Sequence, residues 1–165
     1  DPINTAIASS LAILRCLENE IKHIDKEIAN LTKGYNSDEY TCLISIPGIG
    51  PVFAAGILSE IGSIKQFDNE EALAKYAGLT WRRHQSADVE HEDTPMTKTG
   101  NSYLRYYLCE AASMAVLHNP VYKEYYQKKF AEVKTHQHTR AIALTARKLV
   151  RLIYGLLSKN QLYKK

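Results

Sequence analysis

The sequence predicts an all-α fold in which an N-terminal coiled-coil arm precedes a helical domain that contains a helix-hairpin-helix. Three observations lead to this prediction: a heptad repeat free of Gly and Pro over residues 3–33, a Gly-x-Gly turn between two short apolar segments, and a series of helix-capping residues further on. The 165 residues are 45% apolar and 24% charged, which is typical of a globular chain that needs no disulfide or metal staple. We place the arm at residues 1–34 and the helical domain at residues 35–165.

The arm is predicted from two series of residues that share a period of seven. The members are Ile7, Leu14, Ile21 and Ile28 in one series, and Ile3, Ser10, Leu17, Ile24 and Leu31 in the other. A helix of about 31 residues would extend about 46 Å, further than a small core can cover. We therefore expect a homo-oligomer formed through residues 3–31. The alternative is a long helix that packs on its own domain.

Two short apolar helices joined by a Gly-x-Gly turn predict a helix-hairpin-helix over about 38–62. Gly48 and Gly50 allow a tight turn, Pro51 suits the first turn of the second helix, and Gly62 follows its end. Backbone amides in such a turn can bind a phosphate oxygen without reading a base sequence. Gly48 and Gly50 are therefore predicted to contact nucleic acid; the alternative is a turn that only packs.

The rest of the chain is predicted to contain one further short helix, one long polar loop and three C-terminal helices. Residues 69–77 form a helix capped at Asn69, and residues 78–101, here called the serine loop, lack apolar periodicity and have room for a short hairpin. The C-terminal helices fall within about 101–159, at about 101–117, 119–134 and 137–159. Asn119 and Pro120 open the second of these.

Charge is divided unevenly along the chain. Residues 1–94 hold 8 basic and 15 acidic side chains, net −7, whereas residues 95–165 hold 13 basic and 3 acidic side chains, net +10. The basic half can attract a polyanion such as DNA. A solvated helical surface that balances the acidic half is an equally good interpretation.

The cysteines and the chain start give further expectations. Cys16, Cys42 and Cys109 are far apart and form no CxxC pair, which excludes a zinc ribbon and suits a reducing cytosol. The apolar runs are too short to cross a bilayer and no signal peptide opens the chain, so no membrane partner is expected. Because the first residue is Asp1 rather than Met, we expect a fragment of a longer protein.

Five segments in order resemble one family. They are GIGPVFAAGILSEIG, YAGLTWRRHQSA, TKTGNSYLRYYLCEAASMA, HNPVYKEYY and TARKLVRLIYGLL. Together they are similar to the C-terminal half of the insertion-sequence-one-ten transposases, the bridge-RNA-guided recombinases that also have an N-terminal RuvC-like DEDD domain. The resemblance spans about residues 1–160.

The resemblance implies a function that this chain performs only in part. The family's C-terminal half supplies a serine nucleophile for DNA strand exchange, and the matching position is Ser86. The RuvC-like half, absent here, would hold a divalent metal (Mg²⁺), so no cofactor is expected in this chain and the fragment alone is expected to be inactive. The implied partners are DNA and a guide (bridge) RNA, in the prokaryotic cytoplasm at the nucleoid.

The residues around Ser86 fit that chemistry. A serine hydroxyl needs a neighbouring base, cation or metal to act as a nucleophile, and cationic side chains close by in sequence could stabilise a pentavalent phosphate. A lone loop serine would otherwise be only a loop serine. The predicted nucleic-acid-binding residues are Gly48, Gly50, Arg82, Arg83, Lys98, Asn101, Arg105, Arg147 and Lys148.

Several of these residues have structural alternatives. Asn101 or Ser102 is expected to cap the next helix, and Arg105 could form an ion pair with Glu110. Arg147 and Lys148 lie off an apolar stripe formed by Ile142, Ala146, Leu149, Ile153 and Leu156, and could belong to a solvated face.

Two other chemistries are disfavoured. The tyrosines of the C-terminal half are expected to be half-buried packing residues rather than nucleophiles; these are Tyr103, Tyr106, Tyr107, Tyr122, Tyr125 and Tyr126. His136 and His138 point apart on a helix, so no metal site is predicted. The acidic residues Asp88, Glu90, Glu92 and Asp93 could bind a cation, but a solvated loop is favoured.

Two rival functions differ from a transposase half. One is a non-catalytic helix-hairpin-helix module that binds DNA, and the other is a coiled-coil scaffold that only dimerises. We further expect Ser86 to be solvent-accessible, with mobility across residues 84–96 and without a preformed Ser–His–Asp network.

Overall fold

A computed structural model describes residues 1–35, 37–81, 85–86, 89–90 and 96–164, with the backbone alone for residues 35, 37, 85–86 and 89–90. The predicted all-α fold is confirmed over these residues. The helices are α1 (Pro2–Tyr35), α2 (Ser37–Ile44), α3 (Pro51–Ile61), α4 (Glu70–Tyr76), α5 (Ser102–His118), α6 (Pro120–Ala131) and α7 (Gln137–Lys159). A 3₁₀ turn (Ile64–Gln66) and a two-stranded hairpin, β1 (Gln85–Ser86) and β2 (Val89–Glu90), complete the described elements.

The starts of α3, α4 and α6 are those that the local sequence predicts. The side chain of Asn69 accepts hydrogen bonds from the backbone of Glu71 and Ala72 at the start of α4. Asn119 caps α6 in the same manner, with Pro120 in its first turn. Pro51 likewise opens α3, and Gly62 ends it at a positive φ of 68°. These bounds were predictable because the cap satisfies backbone N–H groups that the helix itself leaves free.

The core surrounds α5, which packs against α3, α6 and α7. Residues one or two turns apart on α5 are fully buried, and they meet apolar side chains of α3 and α7. Across the domain, the largest fully buried side chains include Leu43, Ile46, Ile57, Ile61, Leu73, Leu79, Leu104, Leu108, Leu149 and Ile153. Burial of this kind of side chain contributes about 1.5–3 kcal/mol each, so the interior of residues 40–157 stabilises the domain without a disulfide.

The buried stripe of α7 differs from the predicted one at its two ends. Ile142 and Leu156 are only partly buried, whereas Ala141 and Leu157 are buried. The stripe also widens in the middle of the helix, where Thr145 is fully buried and donates from its hydroxyl to the carbonyl of Ala141 at 2.7 Å. The reason is that α7 packs against α4, α5 and α6 along its length, so its buried face is broader than one i, i+3/i+4 row.

The arm is one continuous helix, and its apolar residues lie open to solvent. Ile7, Leu14 and Leu17 are each exposed by 53–55%. Only the last turns of α1 meet the domain, where Ile28 and Thr32 lie beside α3. The predicted helix is therefore confirmed, and the alternative in which it packs on its own domain holds only for its last turns. Coiled-coil pairing of the arm stays a prediction.

The two helices α2 and α3 lie in contact and are joined by the turn of residues 45–50. This matches the predicted pair of short helices, while the helix-hairpin-helix interpretation stays a prediction. Within the described ranges, none of the helices is both long and apolar enough to cross a membrane.

Candidate nucleic-acid interface

The two ends of the serine loop lie side by side. The backbone N–H of Thr97 donates to the carbonyl of Thr80 at 2.8 Å, and the hydroxyls of the same two residues lie 3.0 Å apart. One step further along, Trp81 and Met96 pair as an antiparallel bridge. The loop therefore leaves the domain and returns to it through a paired stem.

Within the loop, the chain forms the short hairpin that the sequence left room for. Ser86 pairs with Val89, and Gln85 pairs with Glu90, in antiparallel register. The Ser86 position thus belongs to a strand whose backbone is paired.

Several residues of the predicted site lie outside the described part of the structure. They include Arg82 and Arg83, and the side chains of Ser86 and of the acidic residues from Asp88 to Asp93. The predictions of an accessible Ser86 and of mobility over 84–96 concern this same region, so they stay predictions.

Backbone conformation explains the two glycines at the base of the loop. Gly78 and Gly100 have φ values of 70° and 126°, and a Cβ on Gly100 would collide with the carbonyl oxygen of Tyr76. The N–H of Asn101 donates to that same carbonyl at 2.7 Å. The close approach of residues 76–78 to 99–101 requires glycine at both positions.

Arg105 connects the two sides of this base. Its guanidinium donates to the carbonyl oxygens of Ala77 and Lys98, both at 3.2 Å. The alternative, an ion pair between Arg105 and Glu110, is therefore wrong, because the guanidinium binds the carbonyls across the loop base instead. Arg105 has a structural role here, and its proposed phosphate contact stays a prediction.

Asn101 caps α5, as the sequence predicts. Its side-chain oxygen accepts from the N–H groups of Tyr103 and Leu104, each at 3.0 Å. Its amide nitrogen donates to Glu60 of α3 at 2.7 Å and to the hydroxyl of Tyr76 at 3.2 Å. Because the side chain is engaged on both ends, Asn101 orders the site, and a contact with nucleic acid would require it to give up one of these bonds.

Beside this base, one cationic and two aromatic side chains face solvent. Lys98 is exposed and holds a left-handed backbone conformation with φ of 52°. Tyr103 is 69% exposed and Tyr106 is 58% exposed, so the prediction that these two tyrosines are half-buried was wrong. They lie on the face of α5 opposite the buried Leu104 and Leu108. Their exposure could have been predicted from the sequence, because the two tyrosines are spaced i, i+3 on a different face of the helix from the leucines.

The other tyrosines do pack. Tyr122 is buried, and burial raises the pKa of its phenol well above the ordinary value. The rings of Tyr107 and Tyr106 are arranged edge-on, with their centroids 5.5 Å apart. Burial also raises the pKa of the Cys109 thiol, while the charge of Arg105 acts in the opposite direction.

The Gly-x-Gly turn lies elsewhere on the domain. A Cβ on Gly48 would come within 2.6 Å of the backbone nitrogen of Ala115, so Gly48 permits the turn to touch α5 directly. Ala115 is ten residues beyond Arg105, about 15 Å along the helix. Gly50, in contrast, caps α3 with open space around its Cα. The two predicted contact regions are therefore separate, and of the two glycines Gly50 is the better placed for a ligand.

Arg147 and Lys148 form a third region on α7. Arg147 donates to the carbonyl of Glu70 at 3.1 Å, and burial, followed by the charge of Arg151, lowers the pKa of its guanidinium. Lys148 lies over the rings of Tyr122 and Tyr125, at 5.2 and 4.5 Å from their centroids. Both cations thus stabilise the packing of α4, α6 and α7.

One of the two histidines near the start of α7, His138, contacts Tyr126. The ring nitrogen Nδ1 of His138 lies 2.8 Å from the hydroxyl of Tyr126. Across the part of the chain that the structure describes, no three His, Cys, Asp or Glu side chains are grouped to hold a metal ion.

The middle of the chain matches a known protein family. The model of a family described as "Transposase IS116/IS110/IS902 family" matches residues 40–127, from α2 through the serine loop into α6. The matched range includes the loop base, the exposed tyrosines and the Gly-x-Gly turn.

Individual relatives extend the similarity to both ends. The transposase for insertion sequence element IS1111A of Coxiella burnetii is 27% identical over 159 residues, 92% of this chain and 43% of that protein. The pilin gene-inverting protein of Moraxella bovis is 27% identical over 147 residues, 88% of this chain and 45% of that protein. A candidate transposase of Sinorhizobium fredii is 42% identical over 78 residues, 47% of this chain and 19% of that protein.

The chain spans less than half the length of these relatives. The family match nevertheless covers more than half of the chain itself, and it contains the elements that build the loop base. The chain belongs to the IS116/IS110/IS902 transposase family.

Proposed function

We propose that this chain is the C-terminal, serine-bearing part of a DNA transposase or recombinase, and that Ser86 is its nucleophile. The observation on which the proposal rests is the construction of the serine loop. Its ends are paired at Thr80 and Thr97, and Arg105 bridges its base, so the loop that carries Ser86 starts and ends at a fixed place on the domain.

The proposed reaction exchanges one phosphodiester for another through the enzyme. The Ser86 oxygen forms a bond to phosphorus, its proton passes to a base, and the bond from phosphorus to the leaving deoxyribose oxygen breaks, that oxygen gaining a proton. A hydroxyl end of a second strand then attacks the phosphoserine phosphorus and releases the serine. The phosphoserine bond conserves the free energy of the broken phosphodiester bond, so the exchange needs no nucleotide cofactor.

Cations and aromatic rings beside the loop would position the DNA. Lys98 can pair with a phosphate, with Arg82 and Arg83 as further ligands nearer the serine. Tyr103 and Tyr106 offer exposed rings on which an unpaired base can stack, a contact that tolerates any base sequence. Gly50, Arg147 and Lys148 would make contacts further from the reaction.

The remaining parts of the reaction belong to the rest of the protein and its partners. A RuvC-like half, with a divalent metal such as Mg²⁺ to activate an attacking or leaving oxygen, would complete the enzyme. A bridge RNA would select the DNA, and self-association through residues 3–31 would bring two copies to the exchanging strands. This chain alone would bind DNA without exchanging it.

Replacing Ser86 in the full-length protein tests the proposal. Ser86→Ala should abolish recombination while DNA binding persists, and Ser158→Ala, on the exposed end of α7, should recombine normally. Recombination by the Ser86→Ala protein would contradict the proposal.

A non-catalytic DNA-binding module is the second candidate, and one observation favours it. The N-terminus of α3 at Gly50 is open, and such a terminus can bind a phosphate oxygen on its own. Under that function the Ser86→Ala protein would recombine, whereas Gly50→Ala would weaken DNA binding.

A further inference from the structure

The flanks of the apolar seam on α1 differ between its two halves. In heptad notation Ile7, Leu14, Ile21 and Ile28 occupy a positions, and Ile3, Ser10, Leu17, Ile24 and Leu31 occupy d positions. The flanking e and g positions of the first half are Asn4, Ala6, Leu11 and Ile13, all uncharged. Those of the second half are Glu18, Glu20, Asp25 and Glu27, all acidic. The exposed helix is thus neutral along one half of its seam and negative along the other.

We propose that two copies of this chain pair through residues 3–28 of α1 in antiparallel orientation. The inference rests on the proposed self-association and specifies its geometry. It follows from how the flanking positions meet in each orientation, and from a groove at the base of the arm.

A parallel pair would bring acidic residues together. In a parallel coiled coil a g residue faces the e residue of the next heptad on the partner. Glu20 would then face the partner's Asp25, and by symmetry the same repulsion would occur twice.

An antiparallel pair removes that repulsion and gives each seam residue from Ile3 to Ile28 a partner. Each a residue meets a d residue, which gives the layers Ile7 with the partner's Ile24, Leu14 with the partner's Leu17, Ile21 with the partner's Ser10, and Ile28 with the partner's Ile3. In this register g faces g and e faces e. Glu20 then lies against the partner's Ile13, and Glu18 lies against the partner's Leu11. Each acidic side chain can lay its methylene stem on an apolar residue and keep its carboxylate in water.

The groove at the arm's base is consistent with the same register. A cavity of about 320 Å³ lies between the last turns of α1, helix α3 and the ring of Tyr107. Its apolar lining is formed by Ile28, Leu31, Val52, Ala55, Gly56 and Tyr107. Since Ile28 and Leu31 are themselves seam residues, the seam runs directly into the groove.

In the antiparallel register, the apolar first turn of the partner's α1 lies at this groove. The layer at Ile28 is completed by the partner's Ile3, a side chain that is 67% exposed in one copy. In a parallel pair, Ile28 would instead lie opposite the partner's Ile28, and the grooves of the two copies would face each other. The groove, the seam and the flanking charges therefore all favour the same orientation.

Disulfide cross-linking of the chain tests the orientation. We would use a Cys16→Ser background, because Cys16 is exposed on α1 whereas Cys42 is buried and Cys109 is half-buried. Chains with Ala6→Cys are mixed with differently tagged chains with Glu27→Cys. The antiparallel register places these two g positions opposite each other, so the mixed product should form. In a parallel pair they are 21 residues, or about 31 Å, apart along the helix and could not link.

Ser10→Cys provides the opposite test. It should link to its own copy only in a parallel pair, where the two d positions meet. In the antiparallel pair the two residues are about 16 Å apart. A Ser10→Cys homodimer link without the mixed 6–27 link would overturn the orientation while leaving the proposed self-association standing. A chain that light scattering shows to be monomeric would overturn both.

A charge variant gives an independent readout that requires no cross-link. Glu20→Lys would turn a repulsion into an attraction in a parallel pair and tighten it markedly. In the antiparallel pair the introduced ammonium would face the partner's Ile13, and the dissociation constant should change by no more than about twofold. Lys26→Glu, at an outward position, is the matched control. A strong tightening by Glu20→Lys alone would overturn the proposal.

Discussion

The side-chain amide nitrogen of Asn101 lies 2.7 Å from a carboxylate oxygen of Glu60. The same asparagine caps α5 with its oxygen. A single side chain therefore fixes the point at which the chain leaves the serine loop and ties it to α3. This relationship gives the loop base a rigid attachment to the core, and it makes the base sensitive to one substitution.

Asn101→Ala should lower the free energy of unfolding by about 2 kcal/mol, because it removes a helix cap and leaves Glu60 without this donor. Asn69→Ala, which removes only the equivalent cap of α4, should cost about 1 kcal/mol. Urea denaturation of both variants measures the difference. Equal losses would show that the bond to Glu60 adds nothing.

Gly48→Ala should destabilise the domain by about 2–4 kcal/mol. Its positive φ is unfavourable for alanine, and a Cβ would overlap the backbone of α5 at Ala115. Gly50→Ala, at an ordinary φ of −87° with open space around it, should cost about 1 kcal/mol or less. Thermal unfolding distinguishes the two, and a well-folded Gly48→Ala protein would contradict the described contact.

Stability should fall at alkaline pH because of Tyr122. Burial holds its pKa above the ordinary value of about 10, so above that pH the unfolded chain releases a proton that the folded chain retains. Stability is therefore unaffected below about pH 10 and falls as the pH rises beyond it. Tyr122→Phe should flatten this part of the profile, whereas Tyr103→Phe, at an exposed position, should leave it unchanged. An identical alkaline slope in wild type and Tyr122→Phe would count against the buried phenol.

DNA binding by the chain should be sequence-independent and should weaken steeply with salt, because phosphate contacts release counterions. Lys98→Gln should reduce the slope of log affinity against log salt by about one. Lys22→Gln, on the outward face of the arm, should leave the slope as it is. The affinity for a short duplex of unrelated sequence, measured from low to moderate salt, provides the slope, and a flat wild-type response would argue against phosphate-dominated binding.

The sequence predicted the helices well because their bounds depend on neighbouring residues. Asn69, Asn119 with Pro120, and Gly62 each mark a terminus by local chemistry that no distant contact changes. The exposed arm was also predictable, since a heptad seam of that length exceeds any small core. The 3₁₀ turn at Ile64–Gln66 was not predicted, because such short turns have no apolar period.

The site was less predictable because its geometry depends on contacts between distant segments. Nothing near Arg105 in sequence reveals that its guanidinium reaches the carbonyls of Ala77 and Lys98. Likewise, the exposure of Tyr103 and Tyr106 depends on which side of α5 meets the core. Composition and spacing identify the residue types at a site, whereas their partners follow only from the fold.

A covalent adduct between Ser86 and DNA tests the central proposal most directly. The full-length protein is incubated with its DNA substrate, quenched during strand exchange and digested, and the DNA-linked peptide is mapped by mass spectrometry. We predict a phosphodiester link at Ser86, with the Ser86→Ala protein giving none. A link at another residue, or efficient strand exchange without any protein–DNA adduct, would contradict the assignment of Ser86 as the nucleophile.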